Sequence, residues 1–397
     1  MREKFSEDKS VITEFAERVK RLPPYLFAEI ERLIKEKKAQ GVDLISLSIG
    51  DPDLPPPEFV IEALKAEVSS LKNHNYSFSQ GEPDFRQAVS EWYRKRFHVG
   101  LEQDQVIALL GSKEGLANVG RAFVNPGDKV LVPDPAYPVY SNGTAILNEG
   151  MPISMPLLEQ NGFKPDLATL KIDKAKMMFL NYPNNPTAAT VDINFLKEAV
   201  DFAADNGIIL CYDNAYSEVS FDGYKPPSIL EIDGAMEVAV EFHSCSKTFN
   251  ITGDRIAFAV GNRHIIDGLT KIKSQVDSGP PVYIQKVAAK ALQSYEDNEL
   301  PEFLKRNNQV YAERRNILVE RLRQLGFECE KPKATFYVWA NCKSNSMEFA
   351  TKLLDAGVAI TPGVGFGPHG EGFARFALTQ PKERIEEACD RISLLFG

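Results

Sequence analysis

The sequence predicts an α/β fold, with a large domain on a doubly wound, mostly parallel sheet and a smaller α+β domain. Three observations carry this. Short apolar runs recur between longer amphipathic stretches up to about Pro281, the pattern then changes to long helices with a few short strands, and 397 residues exceed what one core organises. Continuous apolar runs are what strands buried on both faces require, because helices cover each side of a parallel sheet.

Taken in order, the strand runs are Val106 to Leu110, Lys129 to Val132, Lys176 to Leu180, Ile208 to Tyr212, Val238 to Phe242 and Ile256 to Val260. Helical patterns lie between them at Glu114 to Phe123 and Phe195 to Ala204. Beyond Pro281, Lys286 to Ser294 and Phe303 to Leu325 read as helices, the second with an apolar face of Tyr311, Ile317, Leu318 and Leu322. Strands at Phe336 to Trp339 and Phe373 to Leu378 follow, with a helix at Ser346 to Ala356 between them. Residues 51–284 are expected to form the large domain, and residues 1–50 plus 285–397 the small one.

Composition excludes several classes. With 26 Gly and 25 Pro and no low-complexity stretch, the chain is neither collagen-like, mucin-like nor disordered. Its net charge of −9 argues against general affinity for nucleic acid or anionic membranes. No apolar run approaches the roughly 20 residues of a membrane span, and the first ten residues lack a signal-peptide core, so a cytoplasmic enzyme is expected. The five cysteines and five histidines are scattered, without CxxC or HExxH, so neither a disulfide framework nor a metal site is expected.

Five of the apolar runs end in conspicuous polar groups: Gly111-Ser112-Lys113, Pro133-Asp134-Pro135-Ala136-Tyr137, Asn181-Tyr182-Pro183-Asn184-Asn185, Asp213 with Tyr216, and Ser244-Cys245-Ser246-Lys247 with Arg255. Ligands of open α/β sheets lie at the carboxyl ends of the strands, so these groups predict one pocket. Gly-Ser-Lys opening a helix offers amides, a hydroxyl and a positive dipole end to an anion such as phosphate. An aspartate just past a buried strand needs a cationic partner, and a protonated ring nitrogen would serve. Lys247 reads either as one more anion contact or as the Schiff-base lysine of pyridoxal phosphate.

Ser244-Cys-Ser-Lys247, Tyr212-Asp213-Asn-Ala-Tyr216, Asn181-Tyr-Pro-Asn-Asn185-Pro-Thr and Gly372-Phe-Ala-Arg375 together resemble the class I/II, fold-type I pyridoxal-phosphate aminotransferases, from about Leu22 to the C-terminal helix. Finer phrases, including Pro23-Pro-Tyr-Leu-Phe-Ala-Glu-Ile30, Ile49-Gly-Asp-Pro-Asp-Leu54 and Lys333-Ala-Thr-Phe-Tyr-Val-Trp339, resemble the branch that acts on LL-diaminopimelate. The resemblance implies that Lys247 carries pyridoxal 5'-phosphate and then moves the proton, and that Asp213 pairs with the ring nitrogen. It implies that Asn185 and Tyr216 bond the ring's phenolic oxygen while Tyr137 stacks on its face. Ser112, Lys113, Ser244, Ser246 and Arg255 would hold the phosphate, with Tyr76 reaching in from a second copy of the chain in a homodimer. Arg375 would grip the substrate α-carboxylate, and Tyr25, Gly50 and Asn185 would also contact substrate. Glutamate and 2-oxoglutarate are the implied partner pair, with LL-diaminopimelate and tetrahydrodipicolinate, of lysine biosynthesis, as the first-choice substrates. The alternatives are an aminotransferase for alanine, aspartate or another amino acid, and a carbon–sulfur β-lyase. A regulator that binds the cofactor without turnover is disfavoured by the net charge and the short N-terminal segment.

Plainer readings stand beside these. Lys247 alone would be a solvated lysine, Asp213 a helix cap, Arg375 a strand-edge ion pair, and Tyr76 a turn with an aromatic plug. Cys245 reads as packing rather than as a nucleophile, and Lys35 to Lys38 as a solvated helix face. Gly365-Phe-Gly367-Pro-His-Gly370 matches GxGxxG, but Pro368 lies inside it and a strand-like stretch follows, so a mobile loop beside the substrate is expected instead of a dinucleotide site. Three positions depart from the branch: Asp254 where tryptophan is common, Ala188 where glycine is usual, and Ser79 where plant-type enzymes place a glutamate for the distal ammonium.

Overall fold

A computed structural model describes residues 13–24 and 26–396. A seven-stranded sheet contains β2 (Val106–Leu109), β3 (Lys129–Asp134), β4 (Met151–Pro156), β5 (Met177–Asn181), β6 (Ile209–Asp213), β7 (Ala239–Ser244) and β8 (Ala257–Gly261). Their order across the sheet is β2-β8-β7-β6-β5-β3-β4, and every pairing is parallel except the two made by β8. Alternate side chains point to opposite faces. Leu131, Met178, Leu180, Leu210 and Tyr212 join one apolar layer with the helices Pro83–Phe97, Ile193–Asn206 and Val282–Leu292. Val130, Val132, Met177, Phe179 and Cys211 join the other, with the helices Ser112–Phe123 and Arg263–Val276.

The smaller α+β unit holds a four-stranded antiparallel sheet, β9 (Glu328–Cys329), β10 (Tyr337–Asn341), β12 (Thr361–Pro362) and β13 (Phe373–Ala377), in the order β12-β13-β10-β9. Beside it β1 (Ile45–Ser46) pairs in parallel with β11 (Val358–Ala359). The helices Glu302–Gln324, Ser346–Asp355 and Lys382–Phe396 complete its core around Leu318, Phe336, Phe349 and Ile385.

Five strands differ from expectation. Strand β4 has no apolar run: Met151-Pro-Ile-Ser-Met-Pro alternates at the sheet edge with only Met155 buried, where proline is tolerated. The short strands β1, β9, β11 and β12 are likewise too brief to leave a periodic pattern.

One buried ion pair holds the chain entering the site. Arg314, on the helix Glu302–Gln324, donates to both carboxylate oxygens of Asp53 at 2.7 and 2.9 Å and to the Leu378 carbonyl at 3.0 Å. Its side chain is 6% exposed, so removing the acid leaves a charge with poor access to water. Asp53→Ala is expected to cost about 2–4 kcal/mol, read as a lower urea midpoint at unchanged slope.

Candidate active site

Residues following β2, β3, β5, β6 and β7 meet Tyr337, Arg375 and the segment Ile49 to Asp51 around a cavity of about 370 Å³. Gly50, Ser112, Lys113, Tyr137, Asn185, Asp213, Tyr216, Ser244, Ser246, Lys247, Arg255 and Arg375 all line it. Tyr76 does not: it is 96% exposed. Tyr25 lies outside the described residues.

Asp213 ends the central strand β6 and is buried. Its Oδ2 accepts the Tyr140 hydroxyl at 2.7 Å and its Oδ1 the Ala215 amide at 3.2 Å. Burial nevertheless pushes its pKa up to about 6, against the pull of both hydrogen bonds. Lys247 follows β7 on the single helical turn Cys245–Thr248. Its Nζ donates to the Gly50 carbonyl at 2.8 Å. Burial lowers its pKa to about 8; Asp51 opposes that shift, while Arg375 and Arg255 add to it.

The anion-binding end is built at the N-terminus of the helix Ser112–Phe123, where free amides and the dipole favour negative charge. Arg255 reaches it from the start of β8, donating to the Thr252 carbonyl at 2.7 Å and the Leu110 carbonyl at 3.4 Å. Gly111 makes this approach possible: at φ +81° a Cβ there would sit 2.1 Å from Arg255 Nη2. The Ser246 hydroxyl is buried and meets no hydrogen-bond partner among the described residues.

At the opposite end Arg375 is 2% exposed. It donates to Asn185 Oδ1 and to the Ser48 carbonyl, each at 2.7 Å, and to Thr361 Oγ1 at 3.4 Å. The rings of Tyr337 and Phe366 cover the guanidinium at 4.2 and 4.7 Å. The Tyr216 and Tyr337 hydroxyls lie 3.1 Å apart.

Sequence reasoning passed over Tyr140 and Tyr337 and placed Asn181 at the pocket without a role of its own; its side-chain amide donates to the Asp213 carbonyl at 2.8 Å. A tyrosine two residues beyond a proline, as Tyr140 is, carries no motif that separates it from core packing. Of the three departures, Ala188 keeps the turn that glycine would make, at φ +58°, with its amide bonded to the Asn184 carbonyl at 3.0 Å. That conformation costs an alanine about 1–2 kcal/mol. Asp254 is half-buried and is not among the residues lining the cavity. Cys245 is buried, and its thiol is pushed up to about 12, which leaves it inert as a nucleophile. The loop Gly363 to Gly370, expected as a mobile loop beside the substrate, forms two short helical turns bonded to Asp134 and Ala136.

The family of class I and II aminotransferases matches residues 42–392, and the chain belongs to that family. It is a transaminase. It is 49% identical, over 96% of its length and 98% of theirs, to the LL-diaminopimelate aminotransferase of Desulforudis audaxviator. The enzyme of the same name from Aquifex aeolicus is 48% identical over 96% of this chain and 99% of that one. Among solved structures, substrate-bound BacF of Bacillus subtilis superposes with a TM-score of 0.91 at 36% identity, covering 97% of this chain and 99% of that one. Aspartate aminotransferase of Thermus thermophilus with maleate gives 0.90 at 27% identity, covering 96% and 99%.

The family implies pyridoxal 5'-phosphate, and the residues present fit it. The buried Ser246 hydroxyl and the Ser112 helix end are suited to a phosphate. The buried Asp213 carboxylate is suited to a protonated ring nitrogen, and the pKa-lowered Lys247 to a carbonyl carbon.

Because Asp213 titrates higher folded than unfolded, its charge costs stability in the cofactor-free protein above about pH 6. That cost fades as pH falls toward the unfolded carboxyl value. Asp213→Asn is therefore expected to raise the melting temperature of cofactor-free protein at neutral pH by a few degrees, with the gain vanishing in acid, while weakening cofactor retention. Calorimetry across pH checks it.

Proposed function

We propose that the chain moves an amino group between LL-diaminopimelate and tetrahydrodipicolinate, with glutamate and 2-oxoglutarate as the partner pair, as a cytoplasmic homodimer in lysine biosynthesis. The observation that carries the substrate is the shared name of relatives at 45–49% identity that cover nearly the whole chain. The roles of the residues and the division into domains at 51–284 and 1–50 plus 285–397 are part of the same proposal.

Pyridoxal 5'-phosphate, when bound, supplies the electron sink that stabilises negative charge at the substrate Cα. Lys247 Nζ takes up the Cα proton and returns it; a pKa of about 8 leaves a useful fraction of free amine at neutral pH. Asp213 keeps the ring nitrogen protonated, while Tyr140 and the Ala215 amide hold the carboxylate in place. Asn185 and Tyr216 bond the phenolic oxygen, and Tyr137 covers the ring. Ser112, Lys113, Ser244, Ser246 and Arg255 hold the phosphate. Arg375 offers a planar fork to the α-carboxylate, a geometry lysine lacks, and Gly50 and Tyr25 would contact the substrate as well. Leu71, Tyr76 and Phe78 stand 89%, 96% and 65% exposed, and a second copy covering them would carry Tyr76 into its partner's site.

One observation favours a second reading. Ser79 offers no charge to a distal ammonium, which suits an aminotransferase for aspartate or alanine.

Half-reactions of the holoenzyme with LL-diaminopimelate, glutamate, alanine and aspartate, followed by cofactor absorbance, separate these. The first two are expected to react fastest; an inert LL-diaminopimelate beside a reactive alanine or aspartate removes the pathway assignment. Covalent capture of cofactor by the cofactor-free protein is expected to accelerate with pH to a midpoint of about 8 and to be abolished in Lys247→Ala. A midpoint at the ordinary lysine value contradicts the role given to burial.

A further inference from the structure

The loop joining β12 to β13, Gly363 to Gly370, belongs to the smaller unit yet is tied to the end of β3 in the large sheet. His369 Nδ1 lies 2.7 Å from Asp134 Oδ2, and the His369 amide donates to Asp134 Oδ1 at 3.1 Å. The Ala136 amide donates to the Phe366 carbonyl at 2.8 Å. From β4, the Ser154 hydroxyl donates to Asp134 Oδ2 at 3.2 Å. Gly367, at φ +136°, lets the carboxylate in: a Cβ there would fall 2.1 Å from Asp134 Oδ1.

Between these ties sits Phe366. It is buried in an apolar cluster with Leu157, Phe163 and Trp339, which joins β10 of the smaller sheet to the segment that follows β4 of the larger. Its ring covers the Arg375 guanidinium at 4.7 Å, beside that of Tyr337 at 4.2 Å. A guanidinium covered on its faces directs its N–H groups in plane, the orientation a carboxylate needs for two parallel hydrogen bonds. The position of Phe366 is thus set by bonds made to the other sheet.

We propose that His369 and Asp134 are positioning residues for the carboxylate end of the substrates: their pair straps the loop across the two sheets and fixes Phe366 against Arg375. The inference rests on the reading of Arg375 as the α-carboxylate anchor. Amino donor and oxo-acid acceptor both carry that carboxylate, so both half-reactions depend on the strap. The GxGxxG-like run earns its glycine at 367 from the approach of Asp134.

The test compares holoenzyme with His369→Ala, His369→Asn, His369→Gln and Arg375→Lys. Each is given L-glutamate and the amine that remains when the α-carboxylate of glutamate is removed. In His369→Ala the half-saturating glutamate concentration is expected to rise about tenfold, with the slower reaction of the amine and the cofactor's absorbance unchanged. The asparagine amide reaches where Nδ1 stood, so His369→Asn recovers most of the loss; the longer glutamine does not. That pair carries the comparison if the alanine variant fails to fold. His369 variants that match the parent with glutamate, or that lose glutamate and amine equally, overturn the strap. If Arg375→Lys loses the preference for glutamate while the His369 variants keep it, the anchor stands and the strap alone falls. If Arg375→Lys also keeps that preference, the anchor falls and takes the strap with it.

Discussion

A guanidinium held at 2% exposure calls for bonds inside the protein, and those that Arg375 makes organise the molecule. It stands on β13 of the smaller sheet and bonds Asn185 from the loop after β5, Ser48 from the segment after β1, and Thr361 from β12. Three stretches far apart in sequence are therefore registered against one planar group. The segment that supplies Ser48 goes on to place the Gly50 carbonyl on Lys247, and the Asp53–Arg314 pair secures its far end.

The site so assembled holds charges in unfavourable states. Asp213 is pushed toward neutrality and Lys247 toward the free amine, both mainly by burial. Each shift is a deficit that a ligand of opposite polarity would relieve, which is how a fold stores affinity for a charged cofactor. Hydrogen bonds keep the deficits from being met by rearrangement. Asn181 fixes the backbone of Asp213, Tyr140 fixes its carboxylate, and behind them Asn214 donates to the buried Glu241 at 2.7 Å.

The large sheet was legible because strands covered on both faces are mostly apolar, as Met177 to Leu180 are, while β7 interrupts its run with the buried Glu241. Strand β4 was not, since an edge strand with one buried side chain and two prolines leaves no such run. Residues at strand ends stood out because a polar group after an apolar run is unusual, and that signal gathered most of the cavity's lining. Tyr140 and Tyr337 gave no such signal: a buried tyrosine reads as core, and only three-dimensional position shows what its hydroxyl meets. The loop after β12 gave no sign of its contact in sequence, where a close approach of Gly367 to Asp134 leaves no pattern.

Gly111 and Arg255 bear on how such a site can change over time. The arginine fills the volume that any side chain at position 111 would need, and it lies in the left-handed conformation at φ +53° to do so. The dependence runs from 111 to 255: a larger residue at 111 displaces the arginine. Two positions more than a hundred residues apart thus share one volume, so the residue tolerated at 111 is set by the side chain at 255.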